Sequence, residues 1–407
     1  MLPPHPHLRP SDLRNAGGSQ NLPRLLSDAS VHRFYNARAA IYQLALALGA
    51  QRRSTILLPA FHCPSVVEPV LRAGMRPAFY RVDRNMELDL DDLRARLHGD
   101  VAAVLFINYL GFPSRFEPLL SELRSRDMLA IEDCAHACVQ VDPLELAGRR
   151  GDAAIYSFWK LVPSGVGGGL WLSEGARVGL PSLSRVPVRD SLVRGKHLFE
   201  ELVTSLGDAS LAAKAYAWVE RTRIWAKSLG RSPIVSSIGS ASPSVATETL
   251  PDENAREYFF DTRLANSRLP WMAEQIMARA DLTSIVNARR RNYRMLASTL
   301  DQSSPVRIAR PELRERISPL AFPVSIKNRS MHDVALRARG IPVWTFGNTL
   351  HRALFECADP RTLADASHLA DTMLLIPVHQ LLEETDMSAF ADTINRYAAE
   401  KPACAWN

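Results

Sequence analysis

Apolar residues in the first half of the chain form short continuous runs that alternate with amphipathic stretches. The run at residues 101–108 has no polar alternation, which is typical of a strand covered on both faces. The predicted strands are residues 55–59, 77–80, 101–108, 129–133, 153–158 and 169–173. The predicted helices between them are residues 37–49, 64–73, 91–97 and 117–126. Helices alternating with buried strands predict an α/β fold with a large, mainly parallel sheet.

The pattern changes after about residue 185. Residues 185–225 look helical, and residues 232–249 are rich in Ser, Pro and Thr, as is typical of a linker. A second α/β segment follows, with predicted helices at 273–280, 285–300 and 387–398 and a strand at 320–326. These segments divide the chain into a flexible N-terminal arm (1–28), a large domain with a helical extension (29–250) and a smaller C-terminal α/β domain (251–407).

Composition narrows the class of protein. A chain of 407 residues that is 46% hydrophobic and 23% charged is long enough for two domains and typical of a soluble protein. The longest apolar run ends at Asn108 and the N-terminus lacks a signal-peptide core, so we expect a cytoplasmic protein with no membrane contact. The net charge of +6 is spread along the chain, and the five cysteines form no CxxC pair. Neither nucleic acid nor a metal ion is therefore expected.

One lysine has an unusual sequence context. Lys160 lies between an aromatic, apolar run and a glycine-rich loop at residues 165–169. A lysine beside apolar residues is readily kept neutral, and a neutral amine is what nucleophilic chemistry requires. Asp133 ends one predicted strand and Lys160 follows another, so both should lie at the carboxyl edge of the sheet, where ligands bind. For Lys160 taken alone, a surface lysine at a strand end is the alternative.

Four motifs follow one another around these residues: Glu132-Asp-Cys-Ala-His136, Gly151-Asp-Ala153, Ser157-Phe-Trp-Lys160 and Gly167-Gly168. Their order resembles that of the DegT/DnrJ/EryC1/StrS family of aminotransferases, which depend on pyridoxal 5'-phosphate (PLP). Further matches begin at residues 37–42 and return at 289–291, 340–341 and 376–379. The resemblance implies the fold-type-I fold of PLP-dependent transferases, PLP as the cofactor and a homodimer.

The resemblance also implies roles around the cofactor ring. Lys160 would hold PLP as a Schiff base and carry protons during the reaction. Asp133 would pair with the protonated pyridine nitrogen, which keeps the ring a strong electron sink. His136 occupies the position of the family's glutamine, where it could hydrogen-bond the phenolic oxygen of the ring.

Other residues would bind the phosphate of the cofactor. The backbone amides of Ala37 and Arg38, at a predicted helix N-terminus, would cradle it, and the Arg38 guanidinium could add a charge-assisted contact. Ser157 would be a further ligand. Asn266, ahead of a predicted helix, resembles the asparagine that reaches the phosphate of the neighbouring subunit.

The sequence departs from the family at two points. Ser157 lies closer to Lys160 than in most sugar aminotransferases, so the connecting loop is shorter. The aromatic residue that normally stacks on the PLP ring aligns with Cys63, so Phe61 or His62 would have to supply the aromatic face. These departures bear on the substrate more than on the cofactor.

The resemblance implies an aminotransferase that moves an amino group from an amino acid, with glutamate as the expected donor, to a keto sugar linked to a nucleotide. Three alternatives remain open: a PLP enzyme of another reaction class, a nucleotide-binding dehydrogenase, and a non-enzymatic PLP-binding regulator. A sugar dehydratase of this family has histidine in place of Lys160. The glycine-rich loop does not open a helix after a first strand, and no helix-turn-helix segment is evident.

Overall fold

The computed structural model describes most of the chain. The described residues are 4–13, 30–50, 53–141, 143–176, 178–206, 260–301 and 306–400. The predicted linker at 232–249 and the latter part of the helical stretch 185–225 lie outside them. In the described ranges, no helix is both long and apolar enough to cross a membrane.

The secondary structure follows the predicted alternation closely. The strands are β1 (Val31–Phe34), β2 (Thr55–Pro59), β3 (Arg76–Tyr80), β4 (Val101–Ile107), β5 (Leu129–Asp133), β6 (Val139–Gln140), β7 (Glu145–Leu146), β8 (Ala153–Ser157), β9 (Gly168–Leu172), β10 (Arg307–Ile308), β11 (Ala321–Ser325) and β12 (Met373–Pro377). The helices are α1 (Ala37–Gly49), α2 (Pro64–Arg72), α3 (Leu90–Ala95), α4 (Leu120–Ser125), α5 (Val188–Ser205), α6 (Trp271–Arg279), α7 (Leu282–Thr299), α8 (Arg329–Ala338), α9 (Arg352–Cys357), α10 (Pro360–Thr372) and α11 (Glu384–Glu400). The sequence did not predict the strands β1, β6, β7, β10 and β12 or the helices α8 to α10.

A seven-stranded sheet forms the centre of the N-terminal part of the fold. Its strand order is β1-β9-β8-β5-β4-β2-β3. The five strands from β8 to β3 pair in parallel, whereas β9 pairs antiparallel with both β8 and β1 and is the one strand of this sheet that runs in the opposite direction. Asp133 of β5 pairs with Ile107 of β4 and with Ile155 of β8. The carboxyl ends of these three strands therefore lie side by side, and the predicted mainly parallel α/β sheet is confirmed.

Helix α1 begins at the antiparallel side of this sheet. The side chain of Asn36 caps it, with Oδ1 accepting from the amide of Ala39 at 2.9 Å. Strand β9 passes directly beneath this start, because a Cβ atom on Gly168 would lie 2.4 Å from the nitrogen of Ala37. Only glycine permits this approach, so one glycine of the predicted Gly167-Gly168 pair sets where α1 begins.

The C-terminal part of the chain carries a second, smaller sheet. β10, β11 and β12 pair antiparallel in that order. Strand β12 is fully buried, and its apolar residues belong to the same core as those of β4. The apolar core thus runs continuously from the large sheet into the C-terminal part.

Residues 4–13 pack against the rest of the fold. The Leu8 side chain is buried, and its amide donates to Oε2 of Glu201 on α5 at 3.2 Å. Residues 10–13 form a short 3-10 turn. This part of the chain was expected to belong to a flexible arm. Burial of Leu8 is the physical reason that it docks instead.

Candidate active site

A cavity of about 260 Å³ lies at the carboxyl ends of β4, β5 and β8. Six of the residues that the sequence singled out line it: Ala37, Arg38, Asp133, His136, Ser157 and Lys160. The strand order explains this convergence, because Asp133 and Ser157 end neighbouring strands and α1 begins beside them. The structure therefore brings most of the predicted site residues together.

Lys160 reaches the cavity from a short turn after β8. Residues 158–160 form a single 3-10 turn, and Ser157 at the end of β8 precedes it directly. Burial lowers the pKa of the Lys160 amine, Asp133 opposes that shift, and the charge of Arg38 adds to it. Because its pKa is lowered, the Lys160 amine is more readily neutral than the amine of an exposed lysine.

The backbone of this turn is held by two side chains that the sequence did not assign to the site. The guanidinium of Arg289 on α7 donates from Nη2 to the carbonyl of Lys160 at 2.8 Å and from Nε to Oε1 of Gln380 at 3.3 Å. Gln380 in turn donates from Nε2 to the carbonyl of Leu161 at 3.1 Å. Burial lowers the pKa of Arg289 to about 10. Together the two side chains fix the loop that carries Lys160.

Asp133 presents a buried carboxylate to the cavity. Its side chain is almost fully buried, and Oδ1 accepts from the amide of Ala135 at 2.9 Å. Burial raises its pKa, while the Ala135 amide and the charge of Lys160 act in the opposite direction. A cationic partner would stabilise the ionised form of this buried carboxylate, because an opposite charge offsets the cost of burying a negative charge.

His136 lines the same cavity as a neutral imidazole. Its Nδ1 accepts from the amide of Leu110 at 3.3 Å, which assigns the proton to Nε2. Burial, assisted by the charge of Lys160, lowers its pKa well below the ordinary value. The ring of Phe346 packs against it edge to face, with centroids 4.6 Å apart. His136 therefore offers an N–H donor and not a positive charge.

The start of α1 and the end of β8 also line the cavity. Ser157 is buried there, and Gly168 pairs with it across the sheet while passing under Ala37. The first amides of a helix have no partner within the helix and favour anions. A serine hydroxyl, these amides and the Arg38 side chain are a suitable set for a phosphate.

The structure does not bring Phe61 and His62 to the cavity. Phe61 is fully buried and packs on Tyr109, with ring centroids 5.6 Å apart. His62 is also buried, with Nδ1 bonded to the carbonyl of Pro59 at 3.0 Å and Nε2 accepting from the amide of His351 at 3.3 Å. Both side chains are thus engaged in packing between the two parts of the fold. Neither supplies the aromatic face that the sequence led us to expect.

Cys63 itself lines the cavity, and Asn266 lies elsewhere on the surface. The side chain of Asn266 is exposed, and its backbone carbonyl accepts from the amide of Ser184 at 2.9 Å. Asn266 does not line the cavity of its own chain. Its expected role concerns a neighbouring subunit and stays a prediction.

The N-terminal segment covers one side of the site. The ring of His5 lies edge-on to Trp159, with centroids 6.0 Å apart, and edge-on to Trp344, with centroids 4.6 Å apart. Burial lowers the pKa of His5 to about 4, and the charges of Lys160 and Arg289 contribute. The sequence pattern could not predict this contact, because residue 5 is far from the site in the chain and comes near it only in the folded structure.

The residues at the cavity fit PLP. A buried carboxylate suits a protonated ring nitrogen, the Nε2–H of His136 suits a ring oxygen, and the helix start with Ser157 suits a phosphate. Lys160 lines the same cavity, and burial lowers the pKa of its amine. Among the described residues, no group of three or more His, Cys, Asp or Glu side chains could hold a metal ion.

Solved structures with the same architecture show which fold the chain has. PseC of Helicobacter pylori, an aminotransferase involved in the biosynthesis of pseudoaminic acid, superposes with a TM-score of 0.64 over 98% of both chains at 13% identity. The sugar aminotransferase CalS13 of Micromonospora echinospora superposes with a TM-score of 0.62 over 97% of this chain and 100% of its own at 19% identity. This chain therefore has the fold-type-I fold of PLP-dependent transferases.

The sequence comparisons find similarity to one family of aminotransferases. Residues 24–176, which include Asp133, His136 and Lys160, match the model of the DegT/DnrJ/EryC1/StrS aminotransferase family. It is 25% identical to the GDP-perosamine synthase of Escherichia coli O157:H7 over 136 residues, which are 33% of this chain and 37% of that protein. It is 24% identical to the dTDP-4-dehydro-2,3,6-trideoxy-D-glucose 4-aminotransferase of Saccharopolyspora spinosa over 269 residues, 60% of this chain and 68% of that enzyme. The match thus spans little more than a third of the first relative and about two thirds of the second.

Proposed function

We propose that the protein is a PLP-dependent aminotransferase that moves an amino group from an amino acid, with glutamate as the expected donor, to the keto group of a sugar linked to a nucleotide. The observation that carries this proposal is the convergence of Lys160, Asp133, His136 and Ser157 on one cavity at the start of α1. The similarity to a GDP-perosamine synthase and to a dTDP-sugar 4-aminotransferase supports a nucleotide sugar as the acceptor. We further propose that the active form is a homodimer in which Asn266 serves the partner's site.

Lys160 would perform two tasks in this reaction. When bound, PLP supplies an electron sink that allows a proton to leave the carbon atom bearing the amino group. Lys160 would be the covalent anchor of the cofactor and, as a free amine, would accept that proton and return it. The lowered pKa of the Lys160 amine favours the neutral base. The hydrogen bond from Arg289 to the carbonyl of Lys160 would hold the backbone still while the amine moves.

The other residues would bind and orient the cofactor. The Asp133 carboxylate would keep a proton on the ring nitrogen, and the Nε2–H of His136 would donate to the ring oxygen. Ser157 and the first amides of α1 would donate to the phosphate. The hydrogen bond from the Leu110 amide to Nδ1 of His136 favours this tautomer, because it makes Nδ1 an acceptor.

The alternatives from the sequence are weaker on structural grounds. The glycine-rich loop at residues 165–167 leads into strand β9 and not into a helix, unlike a dinucleotide-binding loop. A lysine at position 160 argues against the family's dehydratases, which carry histidine there. The half-reaction with glutamate described below distinguishes an aminotransferase from a PLP enzyme of another reaction class with the same fold.

The cofactor is tested by loading the purified protein with PLP, reducing it with borohydride and mapping the peptides by mass. We expect the reduced adduct on Lys160, because that amine alone among the lysines of the described residues lines the cavity. The Lys160→Ala and Lys160→Arg variants should carry no adduct. An adduct on another lysine would show that the site has been misplaced.

The reaction class is tested with the PLP-loaded protein and glutamate, without any sugar. One equivalent of 2-oxoglutarate per site should be released as the visible band of the bound cofactor disappears. Nucleotide keto sugars added next should be aminated, as read by mass, and sedimentation should show the active species to be a dimer. If no amino acid discharges the cofactor although PLP is bound at Lys160, a PLP enzyme of another class becomes the better account.

A further inference from the structure

The cavity lacks an aromatic side chain at the position where the family resemblance places one. Cys63 lines the cavity at that position, and its Sγ accepts from Oγ of Ser65 at 3.1 Å. A cysteine side chain is small and offers no flat surface to a conjugated ring. Phe61 and His62 are buried outside the cavity, so neither side chain takes the place of that aromatic residue.

Phe346 brings an aromatic ring into the cavity from the C-terminal part of the fold. It lines the cavity together with Lys160 and Asp133, and its side chain is only 9% exposed. Its ring meets His136 edge to face at 4.6 Å and Phe61 at 5.3 Å with an angle of 89° between the planes. One ring thus contacts a predicted cofactor ligand and the buried aromatic core at the same time.

The loop that carries Phe346 is rigidly attached to the fold. Two residues earlier, Trp344 exchanges backbone hydrogen bonds with Leu375 of β12 at 3.0 and 2.8 Å. One residue later, Gly347 has φ +64°, and a Cβ atom there would lie 2.6 Å from the ring of Phe61. The loop therefore presses closely against Phe61, and this close approach requires glycine. These contacts on both sides leave the Phe346 ring little freedom to move.

We propose that Phe346 is the aromatic residue that packs against the bound cofactor in this chain. It would take the role that an aromatic residue at the position of Cys63 has in the family. The inference rests on the proposed function, since it requires PLP in this cavity. A flat conjugated ring gains dispersion and quadrupole energy from an aromatic neighbour beyond the burial of area. Trp159 also lines the cavity, but its ring faces His5 of the N-terminal segment.

The test measures the dissociation constant of PLP by equilibrium dialysis. Phe346→Leu keeps an apolar side chain but removes the ring, and binding should weaken about three- to tenfold. Phe346→Tyr keeps the ring and should bind within about twofold of the wild-type protein. Phe355→Leu is the matched control, because Phe355 is an exposed phenylalanine of α9 in the same part of the chain. Its affinity should be unchanged.

A second measurement separates cofactor contact from a structural role. Adding Cys63→Phe to the Phe346→Leu chain should restore PLP affinity and the induced circular dichroism of the bound cofactor. Thermal unfolding without PLP should be similar for Phe346→Leu and Phe346→Tyr. Absence of rescue, or a loss of affinity in Trp159→Leu alone, would overturn the assignment to Phe346. Wild-type protein that takes up no PLP contradicts the proposed function itself, whereas equal binding by wild type and Phe346→Leu contradicts only this inference.

Discussion

Two adjacent carboxylates on β5 have different environments because successive side chains of a strand point to opposite faces. Asp133 lines the cavity. Glu132 is completely buried on the other face, forms an ion pair with Arg150 and accepts from the amide of Gly151 at 3.0 Å. The shared motif Glu132-Asp133 therefore contains one residue for the cofactor and one that stabilises the loop after β7.

Amide substitutions at these two positions should have opposite consequences. Asp133→Asn removes the charge that would pair with the ring nitrogen, so PLP affinity and turnover should fall on the order of a hundredfold. The free energy of unfolding of Asp133→Asn should be equal to or higher than that of the wild-type protein, because burial disfavours the ionised Asp133 carboxylate. Dialysis and the glutamate half-reaction measure the first effect, and urea unfolding measures the second.

Glu132→Gln is the matched control for that substitution. It breaks a buried ion pair with Arg150, so it should lower the free energy of unfolding by roughly 3 kcal/mol. Cofactor affinity should be nearly retained. If both variants lost PLP to the same extent, the carboxylate that faces the ring would have been misassigned.

At the scale of elements, the junction between α1 and β9 decides whether a phosphate site exists. Gly168 lies opposite Phe34 on one side and Ser157 on the other, and it passes under the first residue of α1. One backbone position thus fixes the distance between the helix amides and the serine hydroxyl. The contact atoms are backbone atoms, which cannot move aside as a flexible side chain could.

We expect Gly168→Ala to damage both folding and cofactor binding. The new Cβ atom would force the start of α1 away from β9, at a cost of about 2 kcal/mol or more in unfolding free energy. PLP affinity should fall more than this loss of stability explains. Gly175→Ala is the control, because a Cβ atom at Gly175 meets nothing within 4 Å. Urea unfolding with and without PLP measures both effects, and two indistinguishable variants would contradict the proposed phosphate site.

At the scale of the whole molecule, His62 links the large sheet to the C-terminal part as a neutral ring. Its Nδ1–H donates to Pro59 and its Nε2 accepts from His351. Protonation of Nε2 would place two N–H donors against each other, and the hydrogen bond from the His351 amide would be lost. Burial accordingly lowers the pKa of His62 to about 4.

This pKa shift predicts acid instability of the folded protein. Because the pKa is about 6.5 in the unfolded chain and about 4 in the fold, the unfolded state binds the proton first as the pH falls. The contribution of His62 to stability is complete above about pH 6.5 and is lost toward pH 4, amounting to about 3 kcal/mol. His5 and His136, whose pKa values are also lowered, act in the same direction.

The measurement is urea unfolding of the protein without PLP between pH 7 and pH 4.5. Wild-type stability should fall more steeply with acid than that of His62→Gln, which cannot take up the proton. His62→Gln should be less stable at pH 7, because it loses part of the hydrogen bonding, and the two stabilities should converge as the pH falls. Parallel curves would mean that the fold does not lower the pKa of His62.

Much of the fold and part of the site could be predicted from the chain alone. Buried parallel strands such as β4 read as unbroken apolar runs, and their bounds were predicted to within a residue or two. Since parallel strands align their carboxyl ends, Asp133 and Lys160 could be placed together without coordinates. In the C-terminal part, β12 was missed because a short apolar run there could equally be part of a helix.

The sequence by itself determined the α/β sheet, the edge at which the site lies, and the lysine, aspartate and helix start that meet there, because these follow from local periodicity and from the order of motifs. Only the tertiary structure decided which aromatic ring enters the cavity, which guanidinium holds the Lys160 turn, and that His5 covers one side. Phe346, Arg289 and His5 reach the site from positions far away in the chain. Contacts of this kind depend on how the C-terminal part and the N-terminal segment pack on the sheet, and no local pattern encodes that packing.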